Sequence, residues 1–253
     1  MLRSAETGSA DALPWPVIAF IAFCGIFLVT GFALSTKRQI AWFRSRNKSS
    51  GGQRNALTAL VAARRFGYLA EDPARTQYFT GVPFGVATRS RANDVVWGSV
   101  RGRQFETFAL TVYGWSTQHD NTDGATGGER SFQITWIPLR AQLPRLRFEP
   151  DSAEWPAAES MGARDLTVES AQFNQLWKAV CDDERIGRAI LTPSMIERFL
   201  QPDLYGMVVS IEGLALWIAS PGASDLIELD SVVDQLYSIA GLIPAFVFDG
   251  HAA

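Results

Sequence analysis

The chain has 253 residues, of which 47% are hydrophobic and 19% are charged, a composition that excludes an intrinsically disordered protein. Its formal net charge of −3 is unevenly distributed: eight basic residues and no acidic one lie between Asp11 and Glu71, whereas 24 acidic and 14 basic residues follow from Glu71 onward. An acidic domain lacks the concentrated basic face that binds phosphate backbones, so we expect no nucleic acid as its partner.

An uncharged apolar stretch, PWPVIAFIAFCGIFLVTGFAL over residues 14–34, dominates the N-terminal region. Neither a charged residue nor a histidine lies between Asp11 and Lys37. At ~1.5 Å per residue, a helix of this length measures ~31 Å, about the thickness of the hydrocarbon core of a bilayer. The stretch predicts a transmembrane helix over residues 14–35 that follows a short tail over residues 1–13. The alternatives are a buried core helix and a cleaved signal peptide, although the leader lacks a basic n-region.

Basic residues directly after this stretch set its predicted orientation. Arg3 alone precedes the stretch, and the positive-inside rule therefore places the N-terminus outside and the following domain in the cytoplasm. Residues 36–55 are interpreted as a flexible linker, since they contain Ser-Ser-Gly-Gly. We expect this basic segment to contact anionic lipid headgroups near Lys37, Arg38, Arg44, Arg46 and Lys48.

Residues 56–253 are long enough to form one folded domain. The spacing of apolar residues predicts a helix over residues 56–70. Segments rich in Val, Phe, Thr, Tyr and Trp then predict antiparallel strands separated by turn-forming residues. These strands are expected at 78–87, 95–101, 105–115 and 132–139, with a fifth short strand at 144–148.

Short helices and strands are predicted to alternate in the second half of this domain. We expect a helical turn over 170–176 and a strand over 177–181. An aspartate at position 182 or 183 is suited to cap a following helix, and the Thr-Pro pair at 192–193 predicts another helix start.

The last part of the chain predicts a hairpin and a helix. Glu212-Gly213 lies between two apolar segments, which indicates a turn between two strands. An apolar stripe at helical spacing predicts a final helix over 226–240, with Asp225 as its cap. The complete order of elements favours an α+β domain built on an antiparallel sheet.

The chain has few residues that point to catalysis or metal binding. Cys181 is followed by three acidic residues, which would raise its thiol pKa, so we expect a buried structural cysteine. His119 opens the segment HDNTDGATGG, whose spacing does not match a calcium loop and is typical of a hairpin loop. No P-loop, dinucleotide, zinc or nucleophile-elbow motif is present. The sequence therefore predicts no catalytic, cofactor-binding or metal-binding residue.

Two groups of arginines are candidate anion sites. Arg89, Arg91, Arg101 and Arg103 flank a predicted strand, and Arg140, Arg145 and Arg147 flank another. The alternation in Arg101-Gly102-Arg103 and in Arg145-Leu146-Arg147 would put each pair on one sheet face. Solvated strand ends are the expected state, because exposed charges on one face of a sheet are common.

Several fragments of the chain carry a resemblance to a known group of proteins. They are SVRGRQFETFAL (99–110), DLTVESAQFNQLWKAVCDDERIGRAILTPSMIERFL (165–200), VVSIEGLALWIA (208–219) and GLIPAFVF (241–248), together with the apolar stretch and its basic flank. With these fragments the chain resembles a family of uncharacterised actinobacterial single-pass membrane proteins. The resemblance implies an anchored domain with no assigned activity and supplies no functional residues.

The sequence thus favours a non-catalytic domain, anchored in the cell membrane, that binds a protein or small molecule at the cytoplasmic face. A second hypothesis is a membrane-anchored hydrolase or transferase with an arginine and carboxylate anion pocket that includes Arg89, Arg101 or Arg103. An extracytoplasmic domain of the same fold is a third, and the basic flank disfavours it.

Overall fold

The computed structural model of the chain describes residues 52–85, 89–115, 128–150, 164–222, 226 and 228–249. The chain divides into two compact units, Met1–Ser45 and Arg46–Ala253, and all described residues belong to the second. The predicted tail, transmembrane helix and most of the linker lie outside them, as does the predicted cap Asp225. Within the described ranges, no helix has both the length and the apolar character needed to cross a membrane.

The strands of the described residues form one antiparallel sheet. Neighbouring strands pair in the order β1-β2-β3-β4-β6-β5. Strand β7 lies off this path and pairs with β4 along the edge that β3 and β6 leave free. All pairs of these strands are antiparallel, so the predicted antiparallel arrangement is confirmed. The strands are β1 (Gly67–Glu71), β2 (Arg89–Val100), β3 (Arg103–Trp115), β4 (Gly128–Pro150), β5 (Arg164–Leu166), β6 (Trp177–Cys181) and β7 (Val208–Pro221).

Helices of the described residues flank the sheet, so the α+β class is confirmed for this part of the chain. The side chains of Ser170, Asp183 and Thr192 accept hydrogen bonds from backbone N–H groups in the first turns of three helices, as N-caps do. The helices are α1 (Gly52–Arg64), α2 (Ala171–Leu176), α3 (Glu184–Ile190), α4 (Pro193–Phe199), α5 (Leu229–Leu242) and α6 (Ala245–Asp249), with 3₁₀ turns at Pro73–Gln77 and Pro202–Leu204.

Strands β4 and β7 are longer than the sequence predicts. The segments 132–139 and 144–148, expected as two strands, belong to the single strand β4. The predicted hairpin at Glu212-Gly213 is wrong, because β7 continues through it and both halves pair with β4. Gly213 has φ +60° and pairs with Leu143 where the register shifts. The glycine therefore makes an irregularity within the strand and does not reverse the chain.

The region after α1 also differs from expectation. Arg65 takes φ +56° and Phe66 N–H donates to the Val61 carbonyl at 3.0 Å, which ends the helix at Arg64. Residues 67–70, predicted as helix, instead belong to β1. The predicted strand at 78–87 is also wrong for residues 78–85, which form turns across one face of the sheet. We call residues 73–85 the covering segment.

Core residues form two clusters on opposite sheet faces, since neighbouring strand residues such as Val208 and Val209 alternate between them. The helix-side cluster packs the sheet against all six helices named above. The segment-side cluster packs the other face against Phe79, Val82 and Phe84 of the covering segment. Both clusters therefore depend on β4 and β7.

Candidate functional site

The first arginine group does not form an anion site in the structure. Arg89 lies at the start of β2, where its guanidinium stacks 4.6 Å from the ring centroid of Tyr113. Arg101 follows the last residue of β2 and Arg103 is the first residue of β3, roughly 40 Å from Arg89 along the strand. Both of them contact Asp234 of α5, at 2.6 and 2.9 Å. The described residues thus give no support to a pocket shared by Arg89, Arg101 and Arg103.

Within the second group, Arg147 differs most from expectation. Its side chain is 2% exposed and its Nη1 lies 3.4 Å from Oε1 of Glu149, which is 4% exposed. Its Nη2 donates to the Thr80 carbonyl, and its guanidinium carbon lies 5.7 Å from the Trp217 ring centroid. The prediction of a solvated arginine is wrong here, because the covering segment lies over this part of β4.

Thr80 connects this buried pair to further charged side chains. Arg145 donates from Nη1 to Thr80 Oγ1 at 3.1 Å and from Nη2 to Asp182 at 2.8 Å. Glu212 accepts from Thr80 N–H at 3.1 Å and from Thr80 Oγ1 at 2.6 Å. We call Arg145, Arg147, Glu149, Asp182 and Glu212 the β4 charge cluster.

The electrostatics of this cluster indicate a structural role. Burial lowers the pKa of Arg147 and the nearby Glu149 opposes that change. Burial likewise raises the pKa of Glu149, opposed by Arg147 and then Lys178. The guanidinium groups of Arg145 and Arg147 donate hydrogen bonds to Thr80 of the covering segment and to carboxylates. These contacts stabilise the packing of the covering segment on β4.

Cys181 is buried, as predicted. It is 1% exposed, and burial raises its thiol pKa, with further contributions from Glu184, Asp182 and Asp183. No group of His, Cys, Asp or Glu among the described residues is arranged to hold a metal ion. The predicted loop at His119 lies outside those residues.

A large groove lies beside the two C-terminal helices, and we call it the α5–α6 groove. Its volume is about 780 Å³, within the range of small-molecule pockets. Its lining comes from β4, the start of α4, the second half of α5 and α6. The lining residues are Pro138, Leu139, Arg140, Thr192, Ser194, Tyr237, Ala240, Gly241, Leu242, Ile243, Pro244, Ala245 and Phe248.

The end of α5 creates the shape of this groove. The helix stops at Leu242, Ile243 N–H donates to the Ala240 carbonyl at 3.3 Å, and Pro244 precedes α6. The chain then turns so that Val247 and Phe248 are buried. The sequence predicts a helix that ends near this point but indicates no site there. The apolar run that follows Pro244, shortly after the end of α5, was the signal available.

Arg140 is the charged residue among the lining residues. Its guanidinium carbon lies 4.1 Å from the Phe248 ring centroid, and its Nη2 donates to the Ala245 carbonyl at 3.2 Å. Unlike Arg145 and Arg147, it forms no ion pair with a carboxylate of the described residues. Arg140 therefore does not share a site with Arg145 and Arg147, and it lines an apolar groove.

Comparisons with known proteins give a likeness of fold. No family model matches the chain, and no curated protein matches it. The crystal structure of the mycobacterial trehalose monomycolate transport factor A, TtfA, is similar, with a TM-score of 0.54. The alignment has 13% sequence identity and covers 76% of this chain and 95% of the TtfA chain. At this identity the likeness shows a shared fold.

Proposed function

We propose that this chain is a non-catalytic binding domain, anchored in the membrane, that takes the apolar part of a small envelope molecule into the α5–α6 groove. The observation that carries this proposal is the groove itself, with about 780 Å³ and mainly apolar walls. Large apolar pockets with a few polar groups are the usual ligand sites of proteins.

The fold likeness supports a role in transport. TtfA is named as a trehalose monomycolate transport factor. We propose by analogy of fold that this chain also assists the movement of an envelope component, together with a protein partner. The arrangement of the described arginines supports binding over hydrolysis or group transfer, because Arg101, Arg103, Arg145 and Arg147 are all paired with carboxylates.

Membrane attachment is the second part of this proposal. Residues 14–35 would span the bilayer with the N-terminus outside, and the basic residues Lys37 to Lys48 would contact anionic headgroups at the cytoplasmic face. The domain would then meet its ligand at the membrane surface. A C-terminal tag on the full chain tests the orientation: protease added to intact cells should leave the tag uncut, and digestion from outside would contradict it.

Photo-crosslinking tests the groove. The full chain is placed in phosphatidylcholine nanodiscs with a diazirine-bearing palmitic acid, and crosslinked peptides are mapped by mass spectrometry. We expect crosslinks in the peptide that contains Gly241 and Phe248. A Cβ at Gly241 meets nothing within 4 Å, so the side chain of Gly241→Leu starts in open groove space and should reduce the crosslinks at least about fivefold.

The matched control is Ser231→Leu, which adds a similar side chain to an exposed position of the same helix. This variant should crosslink like the parent chain. Crosslinks that are absent from the groove peptide, or that persist unchanged in Gly241→Leu, would overturn the proposed ligand site.

A further inference from the structure

We infer that the α5–α6 groove selects acyl chains that carry an anionic group, and that Arg140 binds this group. The inference rests on the proposed function, because it names the class of ligand for the same groove. Its basis is the placement of one guanidinium among apolar groove walls.

The two contacts of Arg140 hold its guanidinium at the groove. The cation–π contact with Phe248 holds the guanidinium over the ring, and the hydrogen bond to the Ala245 carbonyl uses one of its five N–H donors. Both contact residues also line the groove. The guanidinium is thus held in position beside the apolar space and keeps donors for a carboxylate or phosphate, which it can bind through two hydrogen bonds.

The net negative charge of the surrounding domain makes Arg140 stand out as a site for an anionic group. The sequence from Glu71 onward holds 24 acidic and 14 basic residues, and this net negative charge disfavours an anion overall. On the same strand, Arg145 and Arg147 are each paired with a carboxylate. Arg140 therefore provides a local positive charge at the point where an acyl chain would enter, and the head of an anionic amphiphile complements it.

Ser194 is the second polar group suited to this role. It lies in α4, is exposed, and lines the groove with Arg140. Tyr237 is not a further donor, because its hydroxyl donates to the Gln104 carbonyl at 3.1 Å. The polar contacts available to a ligand head are therefore few, and the charge of Arg140 dominates them.

Three probes of one chain length separate the head groups: diazirine-bearing palmitic acid, the matching lysophosphatidic acid and the neutral palmityl alcohol. Each is crosslinked to the full chain in phosphatidylcholine nanodiscs at about pH 8, where carboxylate and phosphate are charged. The parent chain should crosslink both anionic probes about three- to tenfold more than the alcohol at the groove peptide. The ratio between the two anionic probes shows whether the carboxylate or the phosphate head is preferred.

Arg140→Gln should abolish this preference while it leaves the alcohol crosslinks within about twofold. Arg140→Lys keeps the charge and should retain part of the preference. Arg130→Gln changes an exposed arginine on the same strand that does not line the groove, and it should behave like the parent. Urea unfolding of each variant checks that the fold is intact.

Equal crosslinking of all three probes in the parent chain, or an anionic preference that survives in Arg140→Gln, would overturn the inference and leave the proposed groove intact. Failure of every probe to reach the groove peptide would instead overturn the proposed function.

Discussion

Arg147 of β4 donates a hydrogen bond to the backbone carbonyl of Thr80, 67 residues earlier in the chain. The guanidinium thereby ties the covering segment to the centre of the sheet, next to the buried carboxylate of Glu149. A charged pair so deeply buried costs free energy of desolvation, and removing one partner leaves the other without compensation.

We expect Arg147→Met to destabilise the domain by about 3–5 kcal/mol, because Glu149 then stays buried without its cation. The free energy of unfolding at pH 7, from urea titration followed by tryptophan fluorescence, measures this. The double variant Arg147→Met/Glu149→Leu should recover part of the loss, since it removes both charges. Arg101→Gln is the exposed control and should cost about 1 kcal/mol or less. Equal losses at positions 147 and 101 would contradict the assigned role of Arg147.

Gly81 and Gly85 form a matched pair for a second prediction. Both have positive φ, +75° and +70°, so alanine strains the backbone at either position. A Cβ at Gly81 would clash with the Arg147 guanidinium, whereas a Cβ at Gly85 meets nothing within 4 Å. We expect Gly85→Ala to cost about 1 kcal/mol and Gly81→Ala to cost about 1–3 kcal/mol more. Denaturant unfolding of the two variants measures the difference, and similar values would show that the guanidinium yields easily.

The stability of the domain should depend on the protonation of Glu149. Burial raises the pKa of Glu149 above its ordinary value of about 4.3, so the folded state binds this proton more tightly than the unfolded state. The resulting stabilisation is complete below about pH 4.3 and is lost as the pH rises through the raised folded pKa. Unfolding free energies between about pH 4 and pH 7 should therefore decline in the parent chain relative to Glu149→Gln. A relative gain with rising pH would show that attraction to Arg147 outweighs burial.

Cys181 should be unreactive in the folded chain. Its thiol is buried and its pKa is raised by burial and by three neighbouring carboxylates, so little thiolate is present or accessible. The chain has two cysteines, and replacing the other one by Cys24→Ser leaves Cys181 as the labelling site. In this protein a thiol reagent at about pH 8 should label Cys181 at least about 100-fold more slowly than in urea-unfolded chain. Rapid labelling of the folded chain would contradict the structural role.

Local signals in the sequence were sufficient for the elements that depend on local contacts. Ser170, Asp183 and Thr192 cap helices near the predicted starts, and the strand at 177–181 has its predicted bounds. These elements depend on residues within a few positions of each other, and their signals are therefore contained in short windows.

Features that depend on distant contacts were not predictable in this way. Glu212-Gly213 has the composition of a turn, and only its pairing with the distant strand β4 keeps β7 continuous. Arg147 follows the alternation of a surface strand, and it is buried because residues 73–85 return over it. The α5–α6 groove similarly combines parts of the chain that are about 100 residues apart. Hydrophobic periodicity carries no information about such long-range coverage.

The two core clusters have a consequence for how the domain resists force and heat. Because β4 and β7 contribute side chains to both faces of the sheet, neither cluster can lose these strands while the other stays packed. Within the described part of the domain, these shared strands leave no boundary along which the two clusters could separate. Tryptophan fluorescence, to which Trp217 on the segment side contributes, and thiol labelling of Cys181 on the helix side should show a single melting transition at one temperature.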